Sequence, residues 1–223
     1  MSKLLFDPEI LPVESIAGEP AVPPQRLTAE GLRRHFADPP QWQPEVSDEQ
    51  LMRKATTAPT PASVLLPIIE RDGGLTLLLT QRTAHLNDHA GQVSLPGGRV
   101  DDIDTSTVET ALRETEEEVG LHRRHIEVLG TLPDYITGTG FRVTPVVSLV
   151  QPPFELRADP FEVAEMFEVP LAFLMNGMNH QRRTIELPNG GGRRTFYAMP
   201  YQRFFIWGAT AGMLRNLFHF LRT

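Results

Sequence analysis

From residue 106 to 121 the apolar side chains fall at helical spacing. Val108, Ala111, Leu112, Thr115 and Val119 recur three or four positions apart and form one core-facing stripe. Ser106 and Glu109 stand in the S-x-x-E register of a helix start, and Gly120 is placed to end the helix. Upstream the period changes. Residues 62–69 and 75–81 are apolar runs split by Asp72-Gly73-Gly74, a hairpin signal. Residues 93–95 read as a short edge element and Gly97-Gly98 as a turn. Strands are predicted near 126–132, 141–150 and 164–170, with a late hairpin over 196–198 and 204–206 around a turn at Pro200. In the final segment, about 208–222, Ala211, Leu214, Phe218 and Leu221 share a stripe that predicts a helix packed on the sheet. The fold class expected is α/β: a central mixed sheet between two helices, an α/β/α sandwich.

The first sixty residues follow a different pattern. Half of the chain's 20 prolines lie between Pro8 and Pro61, and proline neither donates to a ladder nor tolerates a helix interior. The expectation is an extended arm over 1–60 with short helices near 28–37 and 47–54. Leu32 and Phe36 give the first a small apolar face. The arm is expected to strap the main domain, 61–223, which includes the last helix; the alternative is a contact between the subunits of a homodimer.

Chemistry enters with the polar side of the helix predicted over 106–121. Glu114, Glu117 and Glu118 fall at i, i+3 and i+4, so they are surface neighbours beside the buried stripe. A solvated acidic face is the plain alternative. Against it, several acids sit near the helix C-terminus, where the macrodipole disfavours negative charge. Two carboxylates ~4 Å apart repel by roughly 4 kcal/mol at an effective dielectric near 20. A divalent cation turns that cost into attraction, and hard cations such as Mg²⁺ take oxygen ligands.

Composition bounds the reading. The net charge of −7 argues against a nucleic-acid binder, which usually carries a basic face. No cysteine is present, so there is no disulfide framework or thiol chemistry. No apolar run reaches membrane-spanning length, and the N-terminus lacks the long apolar core of a signal peptide. A cytoplasmic protein with no membrane partner is the expectation.

The acidic stretch resembles the Nudix box, G-x5-E-x7-R-E-U-x-E-E-x-G-U, with U apolar. Arg113, Glu114, Glu117, Glu118, Gly120 and Leu121 match. Counting from Gly98, the first acid is Asp104, one residue farther from Arg113 than the pattern has it, and Thr115 takes the first U position. Residues 78–98 resemble the signature of the coenzyme A pyrophosphatase branch, LLTxR(S/A)x3Rx3Gx3FPGG. Leu78, Leu79, Thr80, Arg82, Gly91, Pro96, Gly97 and Gly98 match, while Thr83, Asn87 and Leu95 differ. The likeness spans roughly 61–222.

The resemblance implies a Nudix-type sandwich and hydrolysis of a phosphoanhydride with Mg²⁺ or Mn²⁺. The implied substrate is coenzyme A or a derivative, giving 3′,5′-ADP and 4′-phosphopantetheine. Another nucleoside diphosphate derivative (ADP-ribose or a dinucleotide) is the alternative, and a non-catalytic nucleotide-binding regulator a further one. Glu114, Glu117 and Glu118 are the expected metal ligands, with the Gly98 carbonyl added by resemblance. The Gly97-Gly98 turn lets backbone approach metal and phosphate. Arg113, on another part of the wheel, is expected to fix the loop before the helix, with Asp104 supporting that loop. For the general base the candidates are Glu114 and, in the later acidic segment, Glu162, Glu165 and Glu168, with Glu162 first by resemblance. Arg82, ending a strand that leads to the site, is the candidate for gripping phosphate; Arg99 and Arg142 are weaker. His85 and His89 read as structural loop residues.

Overall fold

The computed structural model describes residues 6–46, 48, 58–85, 90–186 and 192–223. In chain order the elements are β1 (Val13–Ile16), α1 (Ala29–Ala37), β2 (Thr60–Arg71), β3 (Gly74–Arg82), β4 (Val93–Ser94), β5 (Gly97–Arg99) and α2 (Thr107–Val119). There follow β6 (Ile126–Thr131), β7 (Tyr135–Ile136), β8 (Phe141–Val150), β9 (Val163–Pro170), α3 (Leu171–Leu174), β10 (Gln181–Glu186), β11 (Arg193–Tyr201), β12 (Phe204–Trp207) and α4 (Gly208–Arg222). The predicted helix at 47–54 falls outside the described residues apart from Asp48.

β2 and β8 run parallel from Thr60↔Phe141 to Ile69↔Val150, and every other pair in the large sheet is antiparallel. Side chains alternate across these strands. Leu65, Ile69, Leu78, Val146 and Val150 face one way, into clusters with Ala111, Leu112 and Val119 of α2. Their neighbours Leu66, Ile68, Leu77, Leu79, Val147 and Leu149 face the other way, packing with Ala211, Leu214, Leu217, Phe218 and Leu221 of α4. Period two in the strands and period 3.6 in the helices therefore give the sandwich that the sequence predicts.

The sheet is split, and the split positions the site. β2 and β3 pair only over Ile68–Arg71 and Gly74–Leu77. Beyond that, β4 joins β3 at Thr80 and Gln81, while β5 joins β2 at Ala62–Val64. Residues 93–99 thus sit in the gap between two diverging strands. Gly97-Gly98, expected as a turn, is a strand. Glycine permits this: Gly97 has φ +151, and a Cβ there would lie inside 3.0 Å of Ser63 and Val64 backbone atoms.

A second, four-stranded sheet has the order β1-β10-β11-β12. Sequence patterning showed only its last hairpin, and misplaced the turn. The chain reverses at Gln202-Arg203, where Gln202 has φ 52, and Pro200 lies inside β11 opposite Phe205. Proline is tolerated there because β10 pairs with β11 only as far as Ala198, so no β10 partner faces Pro200.

Residues of the first sixty lie against this body. Val22 and Leu32 are buried in the core shared with α4. Arg215 of α4, 2 % exposed, donates to Glu19 and to Glu45 and lies over the Tyr197 ring. Among the described residues no helix is long and apolar enough to cross a membrane.

Candidate active site

α2 is built as its sequence dictates. The Ser106 hydroxyl oxygen accepts from Glu109 N at 3.2 Å. The Glu109 carboxylate pairs with Arg123, so half of the expected capping box forms. At the other end Gly120 adopts the left-handed conformation, φ 68 and ψ 11. The orphan carbonyls of this last turn are capped from a later loop: Arg157 N donates to Val119 O (2.9 Å) and Asp159 N to Glu118 O (2.8 Å).

Arg113 organises the helix and the loop before it. Its guanidinium forms two 2.9 Å bonds to the Asp104 carboxylate and one of 3.3 Å to Arg99 O. Asp104 also accepts from Asp101 N and Thr110 Oγ1. Its carboxyl is held well below the usual range, chiefly by the Arg113 bonds. This is the loop-fixing role expected of the pair. The expected direction of Arg113 was too simple: Nη1 also reaches Glu114 (2.8 Å) and Glu117 (3.1 Å).

The three box acids differ in environment. Glu118 is 4 % exposed and lies under the split in the sheet. Its Oε2 accepts from Gly97 N at 3.2 Å, and its Oε1 is 3.8 Å from Arg82 Nη1. Burial pushes its pKa up to about 8; the Gly97 N–H and Arg82 oppose the rise, and the charges of Glu162 and Glu114 add to it. Glu114 is half-buried, and burial raises it too, with Glu117 and Glu162 contributing. Its carboxyl fills the space a Cβ on Gly98 would need. Glu117, 59 % exposed, points outward. As the side chains lie here, no three acids or histidines among the described residues stand at metal-holding distance. The reason is visible: Glu114 and Glu117 both turn to Arg113, the cation at hand.

Arg82 enters from the end of β3, beside Glu118. Its Nε is buried and finds no hydrogen-bond partner among the described residues. Glu162 precedes β9, and its charge is felt by both Glu114 and Glu118. The structure therefore gathers Glu114, Glu118, Arg82, Gly97 and Gly98, with Glu162 in electrostatic range and Glu117 at the rim.

The other candidates lie apart. Glu165 pairs with Arg203, and Glu168 with Arg71 and Thr76. Arg99 lies over the Phe141 ring and Arg142 pairs with Asp134. His85 packs edge-on against Phe161. His89 and Asn87 fall outside the described residues. Sequence reasoning missed Asp159, whose carboxylate accepts from Phe161 N (2.8 Å) and whose carbonyl accepts from Val163 N. The Asp-Pro dipeptide at 159–160 was its signal, a turn initiator just before an acid.

A family model described as the NUDIX domain matches residues 59–185. The Nudix hydrolase NudL of Escherichia coli O6:H1, itself described as uncharacterized, is 45% identical over 157 residues, covering 70% of this chain and 80% of the relative. Among solved structures, a MutT NUDIX hydrolase from Burkholderia pseudomallei is 24% identical with a TM-score of 0.42, covering 70% of this chain and 98% of that one. The NUDIX domain of Shewanella oneidensis NrtR, solved with ADP ribose, is 24% identical with a TM-score of 0.41, covering 62% and 82%.

Proposed function

The chain belongs to the Nudix hydrolase family, and from that premise we propose that the diphosphate it hydrolyses is coenzyme A or a derivative, with Mg²⁺ or Mn²⁺ as the cation. The observation that carries the substrate reading is the stretch 78–98. It resembles the coenzyme A branch signature, departing at Thr83, Asn87 and Leu95, and the same stretch supplies Arg82 and the glycine pair beside the box acids. Nudix hydrolases work with divalent cations.

The residues present fit such an ion. Carboxylates and a backbone carbonyl are hard oxygen donors. Glu118 is a buried acid whose ionisation is disfavoured as it lies, a cost a bound cation would remove. Glu114, Glu117, Glu118 and the Gly98 carbonyl would hold it. When bound there, a divalent cation neutralises phosphoryl charge and makes a coordinated water nucleophilic at neutral pH.

The remaining work falls to this chain's own groups. Arg82, with a buried donor to spare, grips a phosphoryl oxygen of the substrate. Gly97 and Gly98 keep that approach open, because neither carries a Cβ. Glu162 or Glu114 takes the proton of the attacking water. Arg113 holds the glycine strand against the helix at Arg99 O and, through Asp104, the loop that follows it. In this reading 61–223 is the catalytic domain and the arm braces α4 through Glu19 and Glu45.

The test is incubation with coenzyme A, ADP-ribose or NADH in Mg²⁺ or Mn²⁺, with products identified by mass. Release of 3′,5′-ADP and 4′-phosphopantetheine from coenzyme A alone is expected. Cleavage of the others with coenzyme A untouched would overturn the substrate and leave the chemistry.

A further inference from the structure

The loop that carries Glu162 also carries Phe161, a residue 65 % exposed. A lone exposed apolar residue is ordinary, but the backbone of this one is held on both sides. Phe161 N donates to Asp159 Oδ1 at 2.8 Å, and Phe161 O accepts from Thr83 Oγ1 at 2.8 Å. Thr83 N donates to Glu162 O at 2.9 Å, and Asp159 N donates to Glu118 O at 2.8 Å. The backbone that carries the ring is thus anchored both to the turn holding Glu118 and to Thr83, the residue after Arg82. His85 stands edge-on to it, ring centroids 4.9 Å apart at 60°, the favoured geometry for an aromatic pair. Glu162, next in the chain, is felt electrostatically at Glu114 and Glu118. An apolar ring is therefore held open at the rim of a site otherwise made of charges.

We propose that Phe161, buttressed by His85, is the platform on which the purine base of the nucleotide substrate stacks. The inference rests on the reading that the substrate is a nucleoside diphosphate derivative. A diphosphate satisfies Arg82 directly and the acids only through a shared cation, but nothing among those groups complements a flat apolar surface. An aromatic face does so for any base, and a purine offers it the larger area.

Calorimetric titration with ADP and with inorganic pyrophosphate separates the base from the phosphates. Loss of one stacked base costs roughly 5- to 150-fold in affinity. Phe161→Ala should weaken ADP by that factor and leave pyrophosphate unchanged, while Phe161→Trp should retain ADP binding. The exposed position makes both variants compatible with the fold, which a melting curve checks. Equal loss for both ligands, no loss for ADP, or a wild-type protein that does not bind ADP would overturn the platform. Wild-type protein that binds ADP through Phe161 and leaves coenzyme A intact keeps the platform and retires the coenzyme A reading. The converse result retires the platform alone.

Discussion

One methyl group, added at either of two adjacent glycines, separates the chemistry of the site from the scaffold. At Gly98 a Cβ would lie inside 3.0 Å of the Glu114 carboxyl. Gly98 has no positive φ, and the obstacle is the end of a flexible side chain. Glu114 swings away and the fold is little affected, within about 0.5 kcal/mol. At Gly97 the same methyl meets Ser63 O and the Val64 Cα, backbone that cannot move without undoing the β2–β5 pairing, and φ is +151. Overpacking costs about 1–3 kcal/mol and the disfavoured φ about as much again, so Gly97→Ala should lose roughly 2–6 kcal/mol. At roughly 2–4 °C per kcal/mol for a chain of this size, Gly97→Ala melts at least about 4 °C lower and Gly98→Ala within about 2 °C of the parent. Activity should run the other way round relative to stability. Displacing a group that stabilises developing charge costs about 100- to 1,000-fold, so folded Gly98→Ala should lose that much kcat/KM. Calorimetry and initial rates on a cleaved diphosphate at saturating metal read both quantities. Parental turnover in Gly98→Ala would refute the need for Glu114 where it stands. A Tm loss equal to that of Gly97→Ala would refute the claim that only a side chain is in the way.

Glu118→Gln should keep the fold and lose at least about 100-fold in turnover, because a neutral amide is a poor ligand for a cation; near-parental rates would sink the metal assignment. His180 is fully buried, its Nε2 bonded to Leu174 O at 2.7 Å and its Nδ1 3.2 Å from Arg215 Nη1, and burial pulls its pKa down to about 4. The unfolded chain therefore takes up the proton first, and stability falls as pH drops from 6.5 toward 4, by roughly 3 kcal/mol at most. Urea unfolding at pH 7 and 4.5 should show that loss and should show it reduced in His180→Asn; an equal loss in both proteins would refute it. Arg215→Met leaves Glu19 and Glu45 without their cation and should cost about 3 kcal/mol, with faster proteolysis of the arm. An unchanged urea midpoint would mean that the arm is held without Arg215.

The large sheet and both helices of the sandwich were legible because their apolar periods are long and unbroken. The stripes of α2 and α4 carry the helical period, and the runs of β2, β3 and β8 read as strands from their length, their branched apolar residues and the Asp72-Gly73-Gly74 turn between the first two. The second sheet was not. β1 is Val13-Glu14-Ser15-Ile16, exposed throughout, and β10 is Gln-Arg-Arg-Thr-Ile-Glu; neither carries a periodic apolar face, and only tertiary pairing makes them strands. Gly97–Arg99 was hidden for the opposite reason. Glycine pairs read as turns, while here the missing Cβ atoms let a strand lie close against Val64 and a carboxylate. At the site, the acid spacing was plain in the sequence. What could not be read was that Arg113 would hold two of those acids, or that Asp159, forty-one residues after Glu118 in sequence, would cap its turn.

Those capping bonds have a dynamic meaning. The loop with Phe161 and Glu162 hangs from Val119 O and Glu118 O, so it behaves as an added turn of α2 rather than as a free connection. To open it must give up both caps, together with the Thr83 bonds to Phe161 O and Glu162 O, and the last turn of α2 loses its caps with it. Amide protons of Arg157 and Asp159 should exchange with solvent at the pace of that last turn. A swing of the loop therefore uncaps the turn that carries Glu118, so the mobility of the loop and the rigidity of the box acids are set by the same two bonds.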